Sequence, residues 1–436
     1  MKKLIFLLLP LAVFAQSFLI SNIPIPKTYI QNLDPYPCNE ECLQEYLDND
    51  MIFSFLSHVD RKLDNKEQDE IRMINISILN LGSKIISEEL RIALLLPYKT
   101  IGRYAASTTN SAFSYLITKN RSFELKTYKI ESETTEEIRT TLSKIQEDGF
   151  DYVIAPLTQK GANILSQIDP ETYIYFPTIH KDDINSTSPY LIYGGIDYKA
   201  QSNLLLKEAV SPLVIFYDKS TIGKKLSLYE EESFKNRAFI DKNSTITIEE
   251  FSAQTEENIE IVDMLDEDTI EDENITVVKF SIPKRTTNLE KQLKENEEIV
   301  EGSFFLNTPI VKSGMIMSQL TLYDVNATNI LSTQINYDPL LLSMTQYNDR
   351  KEMIVANSIT QHNNVLIETN SLLSNDIVYD WINYTTTVGI DYFFHLITND
   401  SREYNIAIKD NQLIYPIELL RPSFSRFTKY ISAREE

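Results

Sequence analysis

At 436 residues, with 42% hydrophobic and 24% charged side chains, the chain is long enough for two lobes around substantial cores. Its formal charge of −22 argues against nucleic acid or an anionic membrane surface as a partner. Only 10 glycines occur, which nearly excludes Gly-rich phosphate loops, and no cofactor or metal is implied.

Met1–Ala15 opens with Lys2 and Lys3, runs apolar from Leu4 to Phe14, and ends Val-Phe-Ala before Gln16. This is the pattern of a secretory signal peptide cleaved after Ala15. The alternative is an uncleaved anchor, for which the apolar run is short. No later stretch is long and apolar enough to span a membrane. The expected compartment is the periplasm, with no membrane span once the signal is cleaved.

Residues 16–90 form an N-terminal extension. Gln16–Tyr36 is dotted with proline and reads as a tether or strap. Cys38 and Cys42 follow in PCNEECLQEYL. In an exported chain a close, even pair points to a local disulfide; a metal site or two free thiols on one helix face are the alternatives. Such a clip would hold the start of a helix over Glu41–His58, amphipathic through Leu43, Leu47, Phe53 and Leu56. Asp60–Arg72 is charged, a solvated helix or a linker.

Arg91–Thr158 alternates strand and helix. Strands are expected at Ile92–Pro97, Phe123–Ile130 and Asp151–Leu157, and helices at Gly102–Thr118 and Thr134–Asp148. The first and third strand runs are apolar nearly throughout, as in a parallel sheet covered on both faces. The second helix carries Ile138, Leu142 and Ile145 on one face. This is the β-α-β-α-β order of an open, doubly wound sheet. A short helix at Gly161–Gln167, strands at Tyr173–Thr178 and Leu191–Asp197, and a helix at Tyr198–Val210 complete a first lobe over 91–210.

A second lobe over 211–337 starts with the strand Pro212–Tyr217. Helix is expected at Leu226–Lys235, strand at Ile246–Phe251, strand at Ile275–Ile282 and a charged helix at Asn288–Val300. Thr255–Asn274 between them is the most acidic stretch and reads as a solvated face; it lacks the ligand spacing and Gly turn of a calcium loop. A strand at Phe304–Leu306, a helix at Ile310–Tyr323 and a strand at Asn329–Ile335 follow. Residues 338–436 are expected to return to the first lobe. They hold a short strand at Met353–Asn357, a helix at Ile377–Thr398 and a closing hairpin of Tyr404–Ile408 with Leu413–Ile417 around KDNQ.

In this order the elements resemble the type 1 periplasmic-binding-protein fold, an α/β fold of two lobes with parallel sheets. The branch most similar holds the penicillin-binding-protein activators and the amino-acid receptors of ABC transporters. The matching pieces are RIALLLPY, APLTQKG, LIYGGIDYKAQ, FFLNTPIVKSGMIMSQL with NILSTQIN, and Gly389–Tyr392 before the closing hairpin. They spread from about Arg91 to Tyr415, and their order carries the resemblance. It implies a hinge and a ligand cleft between the lobes, with Tyr98, Thr158, Thr178 and Tyr193 as cleft-facing candidates. In the receptors, the loops after strands three and four offer hydroxyls and backbone N–H groups to a ligand carboxylate. Here the first loop keeps Thr158 beside Gln159 and Lys160, and the second, PTIHKDD, has no run of small residues.

No HExxH or GxSxG occurs, and the four histidines are not paired at metal spacing. His180, after the fourth strand, is a solvated loop residue or a ligand contact. Eight Asn-x-Ser/Thr sites occur, and four carry Asp two residues earlier: Asn185, Asn243, Asn274 and Asn326. That form resembles the extended sequon of bacterial N-glycosylation, which modifies exposed, flexible loops. Together these features point to a non-catalytic envelope protein that works through protein contacts. The 24 Tyr and 20 Phe could furnish its interfaces. The alternative is the receptor of an ABC importer for a small polar ligand.

Overall fold

The computed structural model describes residues 38–59, 65–79, 90–119, 121–252 and 275–432, together with residues 30, 32, 36 and 63. The expected signal peptide, most of the strap and the acidic stretch 255–274 lie outside the described residues, as does Asn274. The chain divides into two compact units, Met1–Arg91 with Lys119–Glu124, and Ile92–Thr118 with Leu125–Glu436.

In the first unit Cys38 and Cys42 are disulfide-bonded, their Cα atoms 5.4 Å apart. Asn39, inside the clip, caps helix α1 (Glu40–Asp48), its Oδ1 accepting from the Cys42 N–H at 3.0 Å. The single helix expected through His58 is broken. Asp50 adopts the left-handed φ of 54°, and α2 (Ile52–His58) starts afresh beyond it. The next helix, α3 (Lys66–Ile78), begins later than the charged stretch suggests. Asn65 sets its start by accepting from the N–H groups of Glu67 and Gln68. Leu43, Phe55, Leu56 and Val59 make the core of this unit. In the native protein both thiols are expected to resist alkylation until reductant is added; free labelling without reductant would exclude the clip.

The second unit is built on two seven-stranded sheets. The first sheet takes β1 (Leu90–Leu96), β2 (Phe123–Lys129), β3 (Tyr152–Ile154), β4 (Tyr173–Phe176) and β5 (Leu191–Tyr193), linked by α4 (Tyr104–Ile117), α5 (Thr135–Glu147) and α6 (Gln159–Ile168). Strands β1, β3, β4 and β5 run parallel, with Ala93 opposite Val153 and Ile154 opposite Tyr175. In β1 every residue but Arg91 is buried, which is why its sequence does not alternate. Ile138, Leu142 and Ile145 of α5 join Ala93, Val153, Ala162 and Leu165 in one core.

Helix α7 (Tyr198–Leu206) leads to the second sheet. This sheet holds β6 (Leu213–Tyr217), β7 (Val277–Ser281), β8 (Ser303–Asn307), β9 (Asn329–Ser332) and β10 (Met353–Asn357), all parallel. Two expectations fail here. The strand proposed at 246–251 is the last part of one long helix, α8 (Thr221–Ser252). Local alternation is a weak signal beside the continuation of a helix already nucleated. The charged helix at 288–300 is only one turn, Glu290–Leu293, and a 3₁₀ turn, Glu297–Ile299, parted by Glu295 at φ 54°. Helix α9 (Ile310–Leu322) matches its expectation closely.

Because β10 lies in the second sheet, the return to the first comes after it and not at residue 338. Helices α10 (Asn364–Leu372) and α11 (Trp381–Thr398) make that return; α11 packs on α4, where Phe394 meets the Tyr115 ring edge-on at 5.9 Å. A hairpin of β11 (Ala407–Lys409) and β12 (Gln412–Ile414) closes the first sheet, β12 lying parallel to β5. Its turn residues Asp410 and Asn411 both have positive φ, 50° and 64°, the geometry that two-residue hairpins favour. A second hairpin, β13 (Glu418–Pro422) with β14 (Phe427–Lys429), was not legible in the sequence. It adds antiparallel to β10 and ends the second sheet.

Candidate functional site

Ligands of open α/β sheets enter at the carboxyl ends of the strands. Tyr98 stands just past β1, exposed, and its hydroxyl donates to Glu131 at 3.2 Å. Lys99 donates to the other oxygen of Glu131 at 2.5 Å. The hydrogen bonds from Lys99 and then Tyr98 hold the Glu131 carboxyl below its ordinary pKa, and the hydrogen bond to Glu131 holds the lysine above its own. Thr178, after β4, is exposed. Tyr193, the last residue of β5, does not face the cleft. Its side chain is buried in the sheet core, stacked on Phe176 with ring centroids 5.6 Å apart. The strand's two-residue period puts it on the face that α5 and α6 cover, and burial pushes its phenol pKa up.

Thr158 caps α6, and its donors are already taken. Glu133, only 6% exposed, accepts from the Thr158 N–H at 2.8 Å and also from the Thr158 hydroxyl. A helix N-terminus attracts anions through its free N–H groups and its dipole. Here the chain supplies that anion itself. Gly161 makes room for it: a Cβ there would lie 2.7 Å from the Glu133 carboxyl carbon. Nothing in the sequence singles out Glu133. It is one acid among 63, and only the packing of the loop before α5 onto α6 identifies it.

A cavity of about 190 Å³ opens between the two lobes of the second unit. One wall comes from the ends of β4 and β5, with His180, Asp182, Asp183 and Asp197; the other is the first turns of α8, with Ile222, Lys225 and Tyr229. His180 Nδ1 accepts from the Asp182 N–H at 3.2 Å. Its Nε2 faces Asp197 Oδ2 at 3.9 Å. Asp197 in turn caps α7, accepting from the Ala200 N–H at 2.8 Å. The walls are joined by an ion pair, Lys225 Nζ to Asp183 Oδ1 at 2.5 Å. His180 is therefore part of the wall, its ring held by the Asp182 N–H with the Asp182 and Asp197 carboxylates 3.9 Å away. Of the four cleft candidates, none lines this cavity.

The crossings between the lobes carry a buried polar layer. Gln201 of α7 donates to Ser358 Oγ at 2.7 Å and accepts from the Gln334 N–H at 2.9 Å. Gln334 donates on to Asn357 at 3.0 Å. Beside them Glu230 of α8 is fully buried and accepts from Ser202 and Asn307. Burial drives its pKa well above the ordinary carboxyl value. These residues link α7, β8, β9 and β10, and are suited to holding one lobe orientation. No group of three metal-ligating side chains occurs among the described residues.

Of the extended sequons, Asn185 and Asn326 are exposed on loops. Asn243 falls inside α8. The Asn326 loop is tied down: its carbonyl accepts from the Glu301 N–H at 2.9 Å, and the Thr328 hydroxyl donates to the Glu301 carbonyl at 2.5 Å.

No protein-family model matches the chain, and no curated protein does. Solved structures do. An ABC transporter substrate-binding protein from Sphaerobacter thermophilus superposes with a TM-score of 0.53 at 11% identity, covering 79% of this chain and 97% of that one. The branched-chain amino acid transporter substrate-binding protein LivJ of Streptococcus pneumoniae, solved with isoleucine, gives 0.51 at 9% identity, covering 78% and 98%. Haemophilus influenzae LpoA gives 0.48 at 9% identity, covering 90% and 65%. The first two establish the architecture: two lobes of the type 1 periplasmic-binding-protein-like fold. At such identities the likeness is one of fold.

Proposed function

We propose that this chain is a non-catalytic protein of the periplasmic envelope that acts through protein contacts, in cell-wall synthesis or an envelope-spanning machine. The observation that carries this is Glu133. The helix N-terminus that could receive a ligand carboxylate is filled by the chain's own carboxylate, held on both Thr158 donors. An incoming carboxylate would have to displace a buried, hydrogen-bonded group, which leaves Thr178 of the two loop threonines to bind it. With Tyr98 engaged by Glu131 and Tyr193 in the core, the predicted donors do not converge.

Free amino acids at millimolar concentration are therefore expected to leave the melting temperature unchanged. A receptor saturated at 100 times its Kd would gain about 2.7 kcal/mol, a shift easily seen. A clear shift with any amino acid, abolished by Thr158→Ala with Thr178→Ala, would overturn this reading. It would favour the second one, a receptor for a small polar ligand. The inter-lobe cavity and the isoleucine-bound LivJ neighbour support that alternative.

The export signal and the sequons fit an envelope address. In a host with an oligosaccharyltransferase, Asn185→Gln is expected to remove one glycan-sized step from the intact mass. The tied loop of Asn326 makes its modification depend on action before folding is complete. An unchanged mass for both Asn185→Gln and Asn326→Gln would discard these sites; Asn243 and Asn274 stand as further candidates.

A further inference from the structure

The hairpin β13–β14 reverses the charge of the chain locally. Past Glu418, the acid that opens β13, the stretch from Leu419 to Ser432 holds Arg421, Arg426 and Lys429 and no Asp or Glu, in a protein of net charge −22. All three cations are exposed. At the turn between the strands Phe424 is 73% exposed, yet it is not loose. Its ring stacks on Tyr347 with centroids 4.0 Å apart and planes 19° from parallel. Arg350, only 2% exposed, reaches under the turn and donates to the carbonyls of Ser423 at 3.0 Å and Phe424 at 3.1 Å. The same guanidinium donates to the Thr345 carbonyl and hydroxyl.

Cations on an edge strand deter unwanted pairing, which accounts for the charge alone. It does not account for a large aromatic ring held outward. Burying a guanidinium to fix an exposed turn is costly. The arrangement instead resembles a binding anchor prepared before contact: an aromatic ring held in place and flanked along the chain by Arg421 and Arg426, residue types common in interface hot spots. We propose that this hairpin docks an acidic protein other than a second copy of this chain. Phe424 would enter an apolar pocket of the partner, with Arg421, Arg426 and Lys429 meeting its carboxylates. The proposal rests on the protein-contact reading above and names the surface and the partner's chemistry. Charge complementarity selects an acidic partner surface, and it predicts association weakened by salt.

The test uses the full chain in its native envelope, with Ser425 replaced by a photo-crosslinking benzoylphenylalanine. One discrete adduct with a different protein is expected, and mass spectrometry should place the cross-link in an Asp/Glu-rich stretch. The adduct should fall at least tenfold in Phe424→Ala and in Arg421→Glu with Arg426→Glu. It should persist in Arg421→Lys with Arg426→Lys, all variants melting as the parent does. No adduct, an adduct indifferent to charge reversal, an adduct of two copies or a cross-link outside acidic sequence would each overturn the proposal. A second photo-crosslinker at Leu372, 84% exposed on α10, separates the two levels. A heteromeric adduct from Leu372 with none from Ser425 would sink the hairpin surface and leave the protein-contact reading standing. A ligand-induced melting shift with no adduct from either would sink both.

Discussion

Asp391→Ala is expected to destabilise the protein by about 3–5 kcal/mol, the range for stripping one partner from a buried ion pair. Asp391 is fully buried in α11. One of its oxygens accepts from the Tyr115 hydroxyl at 2.8 Å and from the Glu403 N–H at 2.8 Å. The other accepts from Arg402 Nε at 3.3 Å and from the Tyr404 N–H at 3.3 Å. Removing it takes this carboxylate from a largely buried guanidinium, a buried phenol and two N–H groups at once. The same contact joins α4, α11 and the segment leading to β11, so one substitution loosens three parts of the first lobe. Asp391→Asn keeps the shape and one acceptor but drops the charge, and should lie between. Equilibrium urea unfolding measures both; a loss below about 1 kcal/mol for Ala would show that water or a neighbour replaces the carboxylate.

Gly389→Ala sets two effects against each other. Alanine in a helix interior gains about 1 kcal/mol over glycine from propensity. At Gly389, however, a Cβ would lie 2.2 Å from Tyr175 Cε1. Tyr175 has no room to retreat. Its hydroxyl end also packs close to Gly194, where a Cβ would lie 1.9 Å from it. The hydroxyl itself is held by Thr385 Oγ1 at 2.6 Å and the Thr385 carbonyl at 2.8 Å. Overpacking a rigid site costs about 1–3 kcal/mol, and more where neighbours cannot shift. The steric effect is expected to win, with a net loss of about 2 kcal/mol, and Gly389→Val should lose more. In a Tyr175→Leu background the penalty of Gly389→Ala should shrink. A Gly389→Ala protein as stable as its parent, measured by urea unfolding, would mean that α11 can slide away from the sheet.

Several parts of this molecule were legible before any coordinates. The apolar runs of β1 and β3 announce a sheet covered on both faces. The i, i+4, i+7 spacing of Ile138, Leu142 and Ile145 marks the buried side of α5, and Asp410–Asn411 marks a tight hairpin. Each is a local rule, set by backbone periodicity or by the few residues that tolerate positive φ. The breaks at Asp50 and Glu295 carry no such mark: each is a single left-handed residue inside a helix-compatible stretch, with no glycine or proline beside it.

What the sequence determined by itself was the order of strands and helices, and with it the class of fold, because periods of two and 3.6 are written in consecutive residues. What only the tertiary structure decided was which of these pieces meet. Tyr193 lost its place in the cleft because the pleat of β5 turns it inward. Glu133 claimed the end of α6 from 25 residues away. Phe424, an unremarkable aromatic in RPSFSRF, became a fixed external ring only because Arg350 lies beneath it, 74 residues distant along the chain. Contacts of that separation depend on how two sheets fold back on each other, and no local pattern encodes them.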